Sequence, residues 1–330
     1  MFKSDPQKIA LEKEITKESF GGYNLRNLNI LVNLNNILYL IYSKEDKSII
    51  TYDLINNKII NETKNAHEKF ITNFRYQKIG DRDIIMTISC EDNNLKLWNF
   101  PSWECILNIK NINSSGILKS GAFLNENNQY YIVTSNALIP YLQENLEGIK
   151  VFDLQGNKVK EIPNSKDDTF FLDIYYDEAN KKNFIITANV GSVKSYDYTE
   201  GKLFQLYKDT EGQQHYTIIQ HKENNMLKLI GSSFDGNVRI WNFNTGELLK
   251  KINVYEDFIY DICLWNNKYL FVGCLKSRIR LVDLEEGKVI KTFEATKGFP
   301  ITINKFVTPE LGECLISQNT NDITLWKIKP

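Results

Sequence analysis

The sequence repeats one short pattern seven times, and the spacing of the copies limits the fold more than any other feature. The clearest copy is Gly231–Leu248, GSSFDGNVRIWNFNTGEL. Two small residues precede the tight-turn pair Asp235-Gly236. Val238 and Ile240 then alternate up to Trp241, and a second turn closes at Asn244-Thr245-Gly246. The same strand, turn, strand, turn text ends on Tyr52, Trp98, Phe152, Tyr196, Val282 and Trp326. With Trp241 in its place, the seven anchors are separated by 46, 54, 44, 45, 41 and 44 residues.

Short strands repeated at such a period predict an all-β chain, a seven-bladed β-propeller in which each repeat is one four-stranded blade. A lone blade cannot bury both faces, so residues 1–330 read as a single closed domain. Ser4–Gly22 reads in two ways. Asp5-Pro6 ahead of QKIALEKEITKES suits a capped helix, whereas Ile9, Leu11 and Ile15 at odd positions suit a strand. The last repeat stops at Pro330 without an outer strand of its own. The ring therefore needs a strand from the other end, and 1–22 is the expected closing segment, with its strand at Ile9–Lys17. The long gap before Phe152 reflects a loop insertion at 136–148 in blade three.

Forty basic and 41 acidic residues leave a net charge of −1. That balance gives no general drive toward nucleic acid or an anionic membrane, and neither is an expected partner. The longest clean apolar run, Ile37–Tyr42, is too short for a spanning helix, and the charged start from Lys3 does not read as a signal peptide. Cys90, Cys105, Cys263, Cys274 and Cys314 are odd in number and widely spaced. They read as small buried thiols in a reducing compartment, so an intracellular location is expected, the cytoplasm in preference to the nucleus. The abundant Asn clusters read as loop filler.

Over essentially its whole length the chain resembles the WD-repeat family. That family's pattern is a Gly-His pair, a V-x-x-V-x-F strand, a Ser-x-Asp turn and Trp-Asp closing the third strand. Blade two carries it best, with Ala66-His67, Ile71, Phe74, Tyr76, Asp92 and Trp98-Asn99. The resemblance implies a buried hydrogen-bonded tetrad of His67, Ser89, Asp92 and Trp98, in which imidazole and carboxylate satisfy each other. Blade five keeps Asp235, Trp241 and Ser232 or Ser233, with Gly212 where the histidine belongs. Two subfamily signals are missing. Lys276–Arg280 does not match the Phe-Arg-Arg-Gly motif of phosphoinositide-binding propellers, and Asn244 stands where cullin-docking propellers carry Arg.

Aligning the first strands on the V-x-x-V-x-F text puts Leu25, Ile71, Leu118, Phe171, Tyr216 and Ile259 in one column. The residues just before them are Asn24, Phe70, Ile117, Phe170, His215 and Phe258, with Phe299 or Pro300 in blade seven. The resemblance implies that rim positions of this kind contact partners. Either each aromatic folds back on its own loop, or the set forms an apolar ring for binding; the ring is the expectation. Leu138, Tyr141 and Leu142 in the insertion either join that rim or pack down on a blade.

His215 and His221 lie six apart on one predicted strand and are expected on the same face, as a rim residue and a strand residue near the channel. No Cys or carboxylate cluster accompanies them, so no metal is expected. No phosphate-binding glycine loop and no nucleophile with its base is visible, and no cofactor or catalysis is expected. The expected function is a non-catalytic scaffold or adaptor that binds a protein or peptide at the channel mouth, alone or within a larger complex. The alternatives are an enzyme using the central channel and a lipid-recruited propeller.

Overall fold

The computed structural model describes residues 10–18 (backbone alone), 29–114, 117–137, 147–162, 165–275, 278–294, 302–308, 312–319 and 322–329. Seven four-stranded antiparallel sheets stand as the blades of a propeller, with no helix among the described residues. In six of them the four strands follow one another in the chain. The seventh takes Thr302–Thr308, Gly312–Gln318 and Asp322–Lys329 from one end and Ala10–Glu18 from the other. Ala10 pairs with Lys329 and Glu18 with Asp322, with one register shift between Lys13 and Ile15. The closing strand expected at Ile9–Lys17 thus exists, and the backbone edge of Asp322–Lys329 is covered.

Local sequence explains the hairpins. Asn35-Asn36, Asn127-Asn128 and Asn224-Asn225 form the two-residue turns between first and second strands, each with positive φ at both positions. A two-residue turn of that hand matches the twist of its strands, and Asn tolerates the left-handed region better than other side chains. The Asn clusters are therefore turn-formers; reading them as filler was wrong.

The apolar core is divided among seven layers, one between each pair of neighbouring blades. Third strands such as Ile49–Asp53 and Ile149–Phe152 are buried throughout, because both faces carry a neighbour. Fourth strands such as Lys58–Thr63 are mostly exposed. Each anchor enters the layer shared with the preceding blade. Trp98 packs with Val32, Ile41 and Ile49 of blade one; Trp241 with Phe171, Phe184 and Ile186 of blade four; Trp326 with Trp265, Phe271 and Ile279 of blade six. Tyr52 closes the circle against Ile316, Ile323 and Leu325 of blade seven.

Side-chain hydrogen bonds join the inner strands around the channel. Asn29 Nδ2 donates to Thr302 Oγ1 at 3.0 Å and to Gln318 Oε1 at 2.6 Å, linking blades one and seven. Arg75 of blade two reaches Gly121 O at 3.0 Å and Leu172 O at 2.8 Å, in blades three and four. Asp261 of blade six accepts from Thr217 Oγ1 at 3.0 Å and from Ile303 N at 2.9 Å.

Candidate functional site

In blade two the expected tetrad is a smaller unit built on a different hydroxyl. Trp98 Nε1 donates to Thr87 Oγ1 at 2.8 Å, and the same oxygen lies 2.8 Å from His67 Nε2. Thr87, two residues before Ser89 on Arg82–Ser89, is the hydroxyl member; Ser89 Oγ is buried without a partner. The register decides this, since Thr87 pairs with Lys96 whereas Ser89 pairs with Asn94 at the strand's far end. Asp92 is not bonded to His67: its Oδ1 accepts Asn94 N at 3.2 Å, while its Oδ2 and His67 Nδ1 have no partner. Burial, and then Lys96, push the His67 pKa down to about 3, so the ring is neutral. Blade seven keeps half of this unit, with Trp326 Nε1 donating to Ser317 Oγ at 2.8 Å.

In blade five neither Ser232 nor Ser233 fills that place. Gly231 does, pairing with Arg239 as Thr87 pairs with Lys96. A Cβ on Gly231 would sit 2.7 Å from Trp241 Cζ3, and the indole donates to Lys208 O at 2.7 Å instead. The nearby ring is that of His215, 6.2 Å from Trp241 and fully buried. His215 is therefore not a rim residue. A register shift between His215 and Thr217 reverses the alternation, so the two histidines lie on opposite faces of blade five. His221 instead lines a cleft of about 660 Å³ between blades five and six, with Ile230, Ile240 and Leu284.

One recurrent feature escaped the sequence reading. Two residues before the anchor, blades two to six carry a cation: Lys96, Lys150, Lys194, Arg239 and Arg280. Each ties down the chain entering its blade. Lys96 Nζ donates to Ala66 O at 2.6 Å, Lys150 Nζ to Ile112 O at 2.5 Å, and Lys194 Nζ to Asp167 Oδ1 at 2.7 Å. Arg239, buried to 2% exposure, binds Asp209 and Asp235, and Arg280 donates to Val254 O. The signal was legible as KLW, KVF, KSY, RIW and RLV.

The same register redraws the rim. Phe74, Gly121, Leu172, Ile218 and Ile262 stand opposite Thr87, Thr134, Thr187, Gly231 and Val272. Counting back four residues gives Phe70, Ile117, Asp168, Gln214 and Phe258. Phe70, Ile117 and Phe258 thus share a position, whereas Phe170 stands two residues further along its strand and His215 one. Counting back two gives Thr72, Lys119, Phe170, Tyr216 and Tyr260. In blades two, four, five and six these are the extra residues of a β-bulge, which re-aims a side chain out of the ladder.

The bulge residues and the loops beside them build a continuous arc of rings over blades four to six. Phe170 meets Tyr216 edge-on at 5.4 Å, Tyr216 lies 4.3 Å from Phe234, and Phe234 stacks on Phe258 at 3.9 Å. Tyr260 stands 5.7 Å from Tyr216 and 6.4 Å from Phe258. Phe170, Phe234, Phe258 and Tyr260 are half-buried, and Tyr216 is 4% exposed. Lys119 of blade three ends the arc, its ammonium 3.3 Å from the Phe170 ring centre. Phe70 stands apart, with Lys47 of blade one 5.9 Å from its ring centre. The sequence reading missed Tyr260 because a bulge shifts its strand by one residue without leaving a mark in the text, and it missed Phe234 and Lys119 because they lie in a turn and in a blade entry outside the aligned column. Leu138, Tyr141, Leu142 and Phe299 lie outside the described residues.

The channel itself holds a cavity of about 370 Å³ lined by Asn29, Arg75, Asn304 and Lys305, among others. Among the described residues no three His, Cys, Asp or Glu side chains are grouped to hold a metal ion. All five cysteines are free thiols, but Cys105 is exposed and Cys263 half-buried, contrary to the expected burial. No protein-family model and no curated protein matches the chain.

Proposed function

We propose that this propeller is of the WD-repeat type and is a non-catalytic scaffold, binding a protein or peptide through the ring arc at its channel mouth. The observation that carries the reading is the arc itself. Five adjoining aromatic side chains from three blades occupy one mouth, four of them half-exposed, on a protein of net charge −1. Strand packing accounts for none of these four, since none belongs to an inter-blade apolar layer. Aromatic anchors of this kind dominate interface energetics. The His67–Thr87–Trp98 unit and its remnant at Ser317 and Trp326 support the WD-repeat assignment. Arg75 and Asp261, two of the charged residues on the inner strands, are engaged in joining blades, which favours display over channel chemistry. Five free thiols support a reducing compartment, the cytoplasm or the nucleus.

The test is capture from a cell lysate with the wild type and the Phe170→Ala and Phe258→Ala variants, with melting temperatures taken on the same samples. Truncating an interface anchor costs ~2 kcal/mol or more, roughly thirtyfold in affinity. Proteins lost by both variants at unchanged melting temperature fit the proposal. Undiminished capture by both removes the arc as the binding site.

A further inference from the structure

We infer that the cleft between blades five and six binds a phenolic ring, which lies on the cleft's apolar floor and hydrogen-bonds to His221. The cleft is lined by Asn266 and Asn267, at the opposite end of their blade from Phe258 and Tyr260. The inference is therefore independent of the ring arc.

Register explains why the cleft exists. His221 stands three residues beyond Ile218, opposite Lys228. The same position holds Gln77, Leu124, Tyr175 and Trp265 in blades two, three, four and six. The last three close the layer shared with the following blade. Leu124 is fully buried in its layer, and Tyr175 meets Phe243 of blade five edge-on at 5.1 Å. Trp265 is 2% exposed, and its Nε1 donates to Glu313 Oε2 of blade seven at 3.0 Å. An imidazole is smaller than a phenol or an indole, and beside it the layer stays open as a cavity of about 660 Å³. That volume is typical of a ligand site.

His221 is 7% exposed, and its ring makes no hydrogen bond or ion pair with any described residue, although its nitrogens keep solvent access. Burial lowers its pKa from 6.5, so the ring is a neutral imidazole with one donor and one acceptor. The charged groups around the cleft are already answered. Lys228 pairs with Glu223, and Lys268 with Glu285 at 3.1 Å. Lys250 Nζ donates to Leu284 O at 2.9 Å and to Glu285 O at 2.6 Å. An entering charge would break one of these contacts or stay unpaired, so the cleft favours an uncharged ligand. Its floor is apolar, with Ile230 and Ile240 buried and Leu284 half-buried. A phenol meets each condition. Its hydroxyl both donates and accepts, which answers the imidazole in either tautomer, and its ring does for blade five what Tyr175 does for blade four. An indole only donates, and a carboxylate only accepts and brings a charge.

The probes are p-cresol, the ring alone, and N-acetyl-tyrosine amide, the ring as a peptide presents it. N-acetyl-phenylalanine amide lacks only the hydroxyl, and N-acetyl-tryptophan amide can only donate. Each is titrated by calorimetry against the whole protein and against His221→Leu, His221→Tyr and Phe170→Ala. Saturable binding of one or both phenols below about 10 mM is expected, and the better of the two identifies the source of the ring. His221→Leu should weaken that binding about tenfold and bring the tyrosine and phenylalanine amides level. His221→Tyr supplies the ring from within, so it should abolish binding while the melting temperature holds or rises. Phe170→Ala should bind as the wild type does. The inference is overturned by no saturable phenol binding up to about 10 mM, or by phenylalanine or tryptophan amide binding as tightly as tyrosine amide. Phenol binding undiminished by His221→Leu would overturn it as well, and binding lost in Phe170→Ala would move the phenol to the arc.

Discussion

The indole of Trp98 and the imidazole of His67 meet on a single oxygen, Thr87 Oγ1, each at 2.8 Å. All three residues are buried, and they tie the chain entering blade two to its second and third strands.

Thr87→Val keeps the shape of the side chain and strands both ring nitrogens. A buried polar group left without its partner costs ~1–3 kcal/mol, so the variant should lose ~2–4 kcal/mol in urea denaturation. Ser89→Ala, whose hydroxyl has no partner, should stay within ~0.5 kcal/mol. A larger loss from Ser89→Ala than from Thr87→Val would return the hydroxyl role to Ser89.

Gly231→Ser supplies blade five with the hydroxyl that Thr87 gives blade two, and it should nevertheless destabilise. The new Cβ would lie 2.7 Å from both Trp241 Cζ3 and Ile218 Cδ1, in a filled layer. Overpacking of this kind costs ~1–3 kcal/mol. A variant as stable as the wild type would mean that the indole moves aside and takes up the serine.

Acid should weaken the fold before its carboxylates titrate. Burial lowers the His67 pKa from 6.5 to about 3 and the His215 pKa from 6.5 to about 4. Both depressed values mean that the unfolded chain takes up protons which the folded chain refuses. The stability from these two rings is complete above pH 6.5 and falls as the pH drops toward 4, by ~1.4 kcal/mol per unit for each ring. Denaturation midpoints at pH 7.5, 6 and 5 measure it, and His67→Asn should remove about half of the slope. A flat profile between pH 7 and 5 would contradict it.

Deleting residues 1–18 removes the strand paired with Asp322–Lys329 and leaves a bare edge in the seventh blade. The melting temperature should drop sharply, and light scattering should report association through that edge. An unchanged melting temperature would show that the pairing adds nothing to the ring.

The architecture was legible because the anchors repeat and each does the same work, filling the layer it shares with the preceding blade. Closure was legible from a deficit, a last repeat one strand short. The site was legible only in part. Phe70, Ile117 and Phe258 were aligned correctly, since Ile71, Leu118 and Ile259, which set the frame in their blades, share one register position. Phe170 and His215 were misplaced because their blades lack the V-x-x-V-x-F text that set the frame, so Phe171 and Tyr216 were put in a column that belongs to Thr169 and His215. Thr87 was passed over for Ser89 because the family pattern gives a residue type, while the pairing with Lys96 gives its place. The cations before the anchors were visible and went unread, since a lysine on a strand looks like solvated surface until its carbonyl partner is known.

Making the seventh blade from both ends of the chain orders its assembly in time. On the ribosome, Ala10–Glu18 emerges before every other strand and finds its partner only after all of them. Six blades can form as they are synthesised, but the seventh waits for the release of Asp322–Lys329, and the Tyr52 layer waits with it. During that interval the free strand and the open edge can pair between two nascent copies as readily as within one. Crowded translation thus favours exchanged dimers, and dilution favours the closed monomer.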